Sequence, residues 1–104
     1  MEKEPGLYKE KLKRYYNNED KLLQYPSKKP MRILALVKII SKFDSSRKYT
    51  EKEVNKIIKD EIVFCDIELI RREMYQYQFI GRLRDGSEYW IEDKWKEKYK
   101  DYII

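Results

Sequence analysis

Apolar positions along the chain fall into helical spacing five times and into strand spacing once. Residues 6–16 place Leu7, Tyr8, Leu12, Tyr15 and Tyr16 on one face, which predicts a short amphipathic helix. Leu22, Leu23 and Tyr25 follow as a brief apolar run stopped by Pro26, read as a short strand or extended arm. Residues 31–43 are the most apolar stretch, with Met31, Ile33, Leu34, Leu36, Val37, Ile39, Ile40 and Phe43, and are expected to form the most buried helix. Ser27 is its expected cap, and Pro30 is tolerated in a first turn, where its missing N–H costs nothing.

Thr50 followed by Glu53 is a capping-box pattern that opens a helix over 51–61, with Val54, Ile57 and Ile58 facing inward. Asp66 is a second expected cap. It begins a helix over 67–78 whose Ile67, Ile70, Met74 and Tyr77 form one line. The opposite face of that helix shows Glu68, Arg71, Arg72, Tyr75 and Gln76. The period then drops to two. Residues 79–83 and 88–91 read as strands around Arg84-Asp85-Gly86-Ser87, and Asp-Gly between apolar flanks is a strong hairpin signal. A last helix is expected over 93–104, capped by Asp93, with Trp95, Tyr99, Tyr102 and Ile103 on its stripe.

The order predicts a mixed α/β (α+β) class, specifically a winged helix-turn-helix. It has a three-helix core, a C-terminal β-hairpin wing, and extra N- and C-terminal helices. One domain over 1–104 is expected: an extension at 1–20, a core at 21–91 and a closing helix at 92–104. The terminal stripes either pack on their own molecule or form a homodimer or partner surface. A length of 104 residues with 41% hydrophobic composition suits one small core.

Composition narrows the chemistry. There is no histidine and one cysteine, Cys65, so the histidine-dependent nucleophilic constellations are excluded and no cluster of soft metal ligands exists. Three glycines cannot build a Gly-rich phosphate loop. The expectation is a binding protein, not an enzyme, with no cofactor, no metal and no evident small-molecule substrate. No apolar run has the ~20 residues of a membrane span, and the N-terminal residues lack a signal-peptide pattern, so a cytoplasmic location is expected.

Charge adds a direction. The formal net charge is +5, yet residues 1–43 hold eleven Lys/Arg against five Asp/Glu, while 44–104 hold thirteen against fourteen. Such asymmetry points to a polyanion such as duplex DNA, although a solvated face gives the same count. On the helix over 67–78, Arg71 and Arg72 suit phosphates or guanine edges, but Glu68 stands four residues before Arg72, and Glu53 or Asp66 is within reach of Arg71 across the helices. Tyr75 and Gln76 are the cleaner groove-facing candidates. Arg82 and Arg84 flank the hairpin tip, where an arginine can enter a narrow minor groove or simply guard a strand edge. Lys28 and Lys29 sit near a helix start, where the dipole disfavours cations and a partner anion would be welcome. Of the ten tyrosines, Tyr77, Tyr99 and Tyr102 fall on core stripes, and Tyr49, Tyr89 and Trp90 are expected to seal the hairpin. Trp90 is expected to share one core with Leu36, Ile40, Ile70 and Met74. Cys65 beside Phe64 reads as an inert buried thiol.

The blocks LLQYPSKK at 22–29, KYTEKEVNKII at 48–58, FCDIELIRREM at 64–74 and DGSEYW at 85–90 resemble a bacterial family, the domain of unknown function 2087. The resemblance runs from about Lys21 to Trp90. It implies a winged-helix domain and a role near transcription, since some members carry this unit beside a helix-turn-helix regulator domain. It also implies a glycine at the end of the third helix, where this chain has Gln78. The function expected from residues and resemblance together is duplex DNA binding by Lys28, Lys29, Glu68, Arg71, Arg72, Tyr75, Gln76, Arg82 and Arg84. The alternative is a protein-interaction module of the same fold.

Overall fold

The computed structural model describes residues 5–103, with side chains described from Tyr8 onward. Its elements run α1 (Pro5–Leu12), a 3-10 turn (Lys13–Tyr15), α2 (Lys29–Ile40), α3 (Glu51–Lys59), α4 (Ile67–Gln76), β1 (Ile80–Arg82), β2 (Tyr89–Ile91), α5 (Trp95–Lys98) and a final 3-10 turn (Lys100–Tyr102). Leu7, predicted on the first stripe, lies outside the described side chains.

Helix α2 is apolar around most of its circumference and is accordingly covered on more than one side. Its Met31 and Leu34 meet Tyr8 and Leu12 of α1 in a satellite cluster. Its Ile33, Leu36, Ile39 and Ile40 belong to the main core, with Val54 and Ile58 of α3, Ile70 and Met74 of α4, and Phe79, Ile80, Tyr89 and Ile91 of the hairpin region. The arm before α2 is extended, as expected. The backbone of Leu22 accepts from Val63 N–H at 2.8 Å and donates to Glu61 O at 2.9 Å, and its side chain is fully buried. Ser27 does not cap α2. The cap position is Lys28, in an extended conformation, with no side-chain hydrogen bond.

Helix α3 starts with the predicted capping box: Thr50 Oγ1 accepts from Glu53 N–H at 3.1 Å, and Glu53 Oε1 accepts from Thr50 N–H at 2.9 Å. Asp66 caps α4 by accepting from Leu69 N–H at 3.1 Å. Helix α4 ends in a Schellman motif, with Phe79 N–H bonded to Met74 O at 2.9 Å and Gln78 N–H bonded to Tyr75 O at 3.1 Å. Gln78 adopts the left-handed φ of 67° that this motif requires, so the glycine-type geometry survives the change of residue.

The hairpin is antiparallel, with Ile80 opposite Ile91, Gly81 opposite Trp90 and Arg82 opposite Tyr89. Gly86 turns it at φ +76°, and the Asp85 carboxylate accepts from the Ser87 N–H and hydroxyl at 3.0 and 2.7 Å. Tyr49, just before α3, adds two backbone bonds to Tyr89 at 2.7 and 2.8 Å, extending the sheet by one bridge.

Three further expectations fail. Trp90 is half-exposed and outside the shared core, because strand alternation sends Tyr89 and Ile91 inward and residue 90 outward. Its indole lies across Gly81, where an added Cβ would come within 2.4 Å of Nε1. Cys65 is exposed, since the segment between α3 and α4 runs over the surface. The expected helix over 93–104 is broken into α5 and a 3-10 turn; Lys94, not Asp93, occupies the cap position, and Ile103 is exposed. The C-terminal segment still closes the core. Phe79 stacks on Tyr99 with centroids 4.9 Å apart and meets Trp95 at 5.5 Å.

Candidate functional site

A cleft of about 310 Å³ lies between the start of α3, the outer face of α4 and the hairpin. It is lined by Glu51, Glu68, Arg71, Arg72, Tyr75, Arg82 and Tyr89. Helical spacing explains the convergence, since Arg71 and Tyr75 are one turn apart, as are Glu68 and Arg72.

Arg71 is the least exposed arginine of the cleft. Its guanidinium donates to Asn55 Oδ1 and lies 3.9 Å from Glu51 Oε2. The expected partners Glu53 and Asp66 are otherwise engaged. Glu53 pairs with Arg47 at 3.0 Å and closes the capping box, while Asp66 caps α4. The cap N–H and Arg47 hold the Glu53 carboxyl below the usual range. Glu51 also accepts from the Tyr89 hydroxyl at 3.1 Å. Burial first, then that carboxylate, raises the Tyr89 phenol above its ordinary value. No ion pair joins Glu68 to Arg72 among the described residues, which leaves Arg72 exposed without the expected internal partner.

Arg82 is folded back. Its guanidinium carbon sits 5.0 Å from the centroid of the Tyr75 ring, and Nη1 donates to Leu83 O and Arg84 O at 3.3 and 3.2 Å. Arg84 is exposed at the hairpin tip, and Gln76 is exposed one turn beyond Arg72.

Lys28 and Lys29 are elsewhere. Lys29 Nζ lies 5.8 Å from the ring centroid of Tyr77. Glu73 of α4 and Tyr77 at its C-cap lie on the side turned toward α2 and its arm, where Glu73 takes Arg32 at 3.6 Å and the Tyr25 hydroxyl at 2.9 Å. Lys28 lines a separate cleft beside α1. Of the nine sequence candidates, Glu68, Arg71, Arg72, Tyr75 and Arg82 share one cleft, Gln76 and Arg84 flank it, and the two lysines do not join it. Sequence reasoning missed Glu51 and Asn55. Their spacing of four puts both on one face of α3, a signal readable only once that face is known to meet α4.

Residues 21–91 match the family model described as "Uncharacterized protein conserved in bacteria (DUF2087)". The chain belongs to this family. The matched span runs from the arm beside Leu22 to the last residue of β2 and so contains the whole cleft. No curated protein and no solved structure matches the chain. Among the described residues no helix is long and apolar enough to cross a membrane, and no group of three or more His, Cys, Asp or Glu is placed to hold a metal ion.

Proposed function

We propose that this DUF2087 domain is a winged-helix protein that binds duplex DNA, as a transcription-associated regulator acting in the cytoplasm and without catalytic chemistry. Helices α3 and α4 form the helix-turn-helix pair, β1 and β2 form the wing, and the Tyr49–Tyr89 bridge corresponds to the short strand that such folds insert before the second helix. The observation that carries the reading is the outer face of α4. Arg72, Tyr75 and Gln76 are exposed there beside a hairpin bearing Arg82 and Arg84. An α-helix fits the major groove, and side chains on such a face reach base edges while flanking arginines meet phosphates.

Arg71 acts in this reading as a positioning residue, because Glu51 and Asn55 already engage it. Burial of Tyr8, Leu12, Trp95 and Tyr99 within the chain's own clusters weakens the alternative in which the terminal helices recruit a protein partner.

The test is fluorescence anisotropy with duplexes across a salt series. Binding should weaken with a log–log slope of about −0.9 per phosphate contacted, and Arg72→Gln or Arg84→Gln should flatten it by about one unit. Tyr75→Ala should reduce preference among sequences and leave the slope nearly intact. No binding to any duplex at low salt would return the fold to the protein-interaction reading.

A further inference from the structure

We infer that the cleft between α1 and the arm entering α2 is a second binding site, separate from the α4 face, for a phosphorylated small molecule with an apolar or aromatic portion. The cleft measures about 440 Å³, within the range of small-ligand pockets. Lys11, Arg14 and Lys28 converge on it, and no carboxylate lines it. All three are exposed, and none takes part in an ion pair among the described residues. The nearest acid along α1, Glu10, is engaged by Lys13 at 3.2 Å.

The positive field is larger than those side chains alone supply. Lys28 stands at the cap of a twelve-residue helix that no side chain caps, so the positive end of the helix dipole adds to it. Among the described residues Arg14 and Lys28 have no anionic partner and Lys11 has only the Tyr8 ring, 5.7 Å from its Nζ to the centroid, so the like charges repel one another and a doubly charged anion relieves that repulsion.

The rest of the wall is apolar. Met31 forms the buried floor, Tyr15 is half-buried, and Leu23 is 43% exposed. A bare phosphate ion would leave Leu23 and Tyr15 in water, whereas a base or other flat apolar group would cover them. A nucleoside monophosphate combines the two chemistries, since its phosphate carries about −1.5 to −2 at neutral pH.

Adenosine monophosphate and inorganic pyrophosphate, titrated separately into the full chain at low salt and followed by two-dimensional NMR, test this. Both should shift the amides of residues 11–15, 23–25, 27 and 28, and adenosine monophosphate should in addition shift the Leu23 methyls. The exposed substitutions Arg14→Gln and Lys28→Gln together should weaken either ligand by at least about tenfold, with an unchanged spectrum of the core confirming the fold. Absence of shifts at millimolar ligand overturns the site, as do shifts spread evenly over all basic segments or a double variant that binds like the parent. Shifts of the same amides by duplex DNA but not by adenosine monophosphate would assign the phosphate to nucleic acid and overturn the small-ligand reading. Failure of duplex binding at α4 leaves this outcome untouched, because the two sites share no side chain.

Discussion

Two clefts carry cations, and they differ in what balances them. Between α3, α4 and the hairpin, three arginines stand among two glutamates, and Arg71 and Arg82 are already spent on protein partners. Between α1 and the arm, Lys11, Arg14 and Lys28 line a wall with no carboxylate. The first cleft has the more arginine-rich look, yet much of its charge is spent on geometry. In the second, Arg14 and Lys28 have no ion-pair partner among the described residues, and Lys11 lies over the Tyr8 ring. Counting positive residues along the chain finds both and cannot rank them, because ranking depends on which acids the fold brings near.

The largest expected effect removes the platform of the first cleft. Met74 has no exposed surface and anchors α4 from beneath, so Met74→Ala should lower stability by about 2–5 kcal/mol in a denaturant titration. The same titration on Arg14→Gln should show a change within about 0.5 kcal/mol, since that residue touches only the surface of the second cleft.

Glu51→Gln sharpens the contrast by making the first cleft resemble the second. Arg71, at 16% side-chain exposure, loses its carboxylate. The variant should lose about 1 kcal/mol of stability, because an arginine bonded near the surface retains some water. In the same variant, duplex affinity at low salt should rise, as one more cation becomes free. A fall in affinity with intact fold would mean that Glu51 holds the binding geometry itself.

Gln78→Gly addresses the end of the same helix. A non-glycine residue at φ 67° is strained, and its Oε1 contact with Lys98 is exposed. Glycine should raise stability by about 1 kcal/mol, read from the thermal midpoint.

The smallest effect is a pH difference between two helix starts. The Glu53 carboxyl is held below its ordinary value by the Thr50 N–H and Arg47. A depressed folded value means that stability from the capping box is present above the unfolded value and is lost as pH falls through the folded one. The first turn of α3 should therefore loosen on acidification to below the ordinary glutamate range. The first turn of α2, which has no capping carboxylate, should show no matching step in the same NMR titration.

What the sequence revealed follows the range of the interactions. Thr50–Glu53, the Asp66 cap, the Asp85-Gly86 turn and the Ile70–Met74 line are each written within a few residues, and each stands where the pattern predicts. The outward position of Trp90 is also readable from the chain. Period two cannot send Tyr89 and its neighbour to the same side. The partners of Arg71 were out of reach, because Glu51 and Asn55 are sixteen or more residues away and only the packing of α3 on α4 chooses them over Glu53. The separation of Lys28 from Arg82 was equally hidden, since both are basic and exposed, and only the placement of α4 between them divides the surface.

The aromatic stack of Phe79 on Tyr99 and Trp95 has a consequence for how this unit is cut and joined. The family span ends with β2, but a fragment stopping there would leave the fully buried Phe79 ring open to water on one side. At the other end, Leu22 binds the backbone of both Glu61 and Val63 one residue inside the span, so a joint placed after it would sever the arm from α3. A fusion that keeps this packing intact must therefore enter before Tyr8, whose ring closes the α1–α2 cluster, and leave after Tyr102.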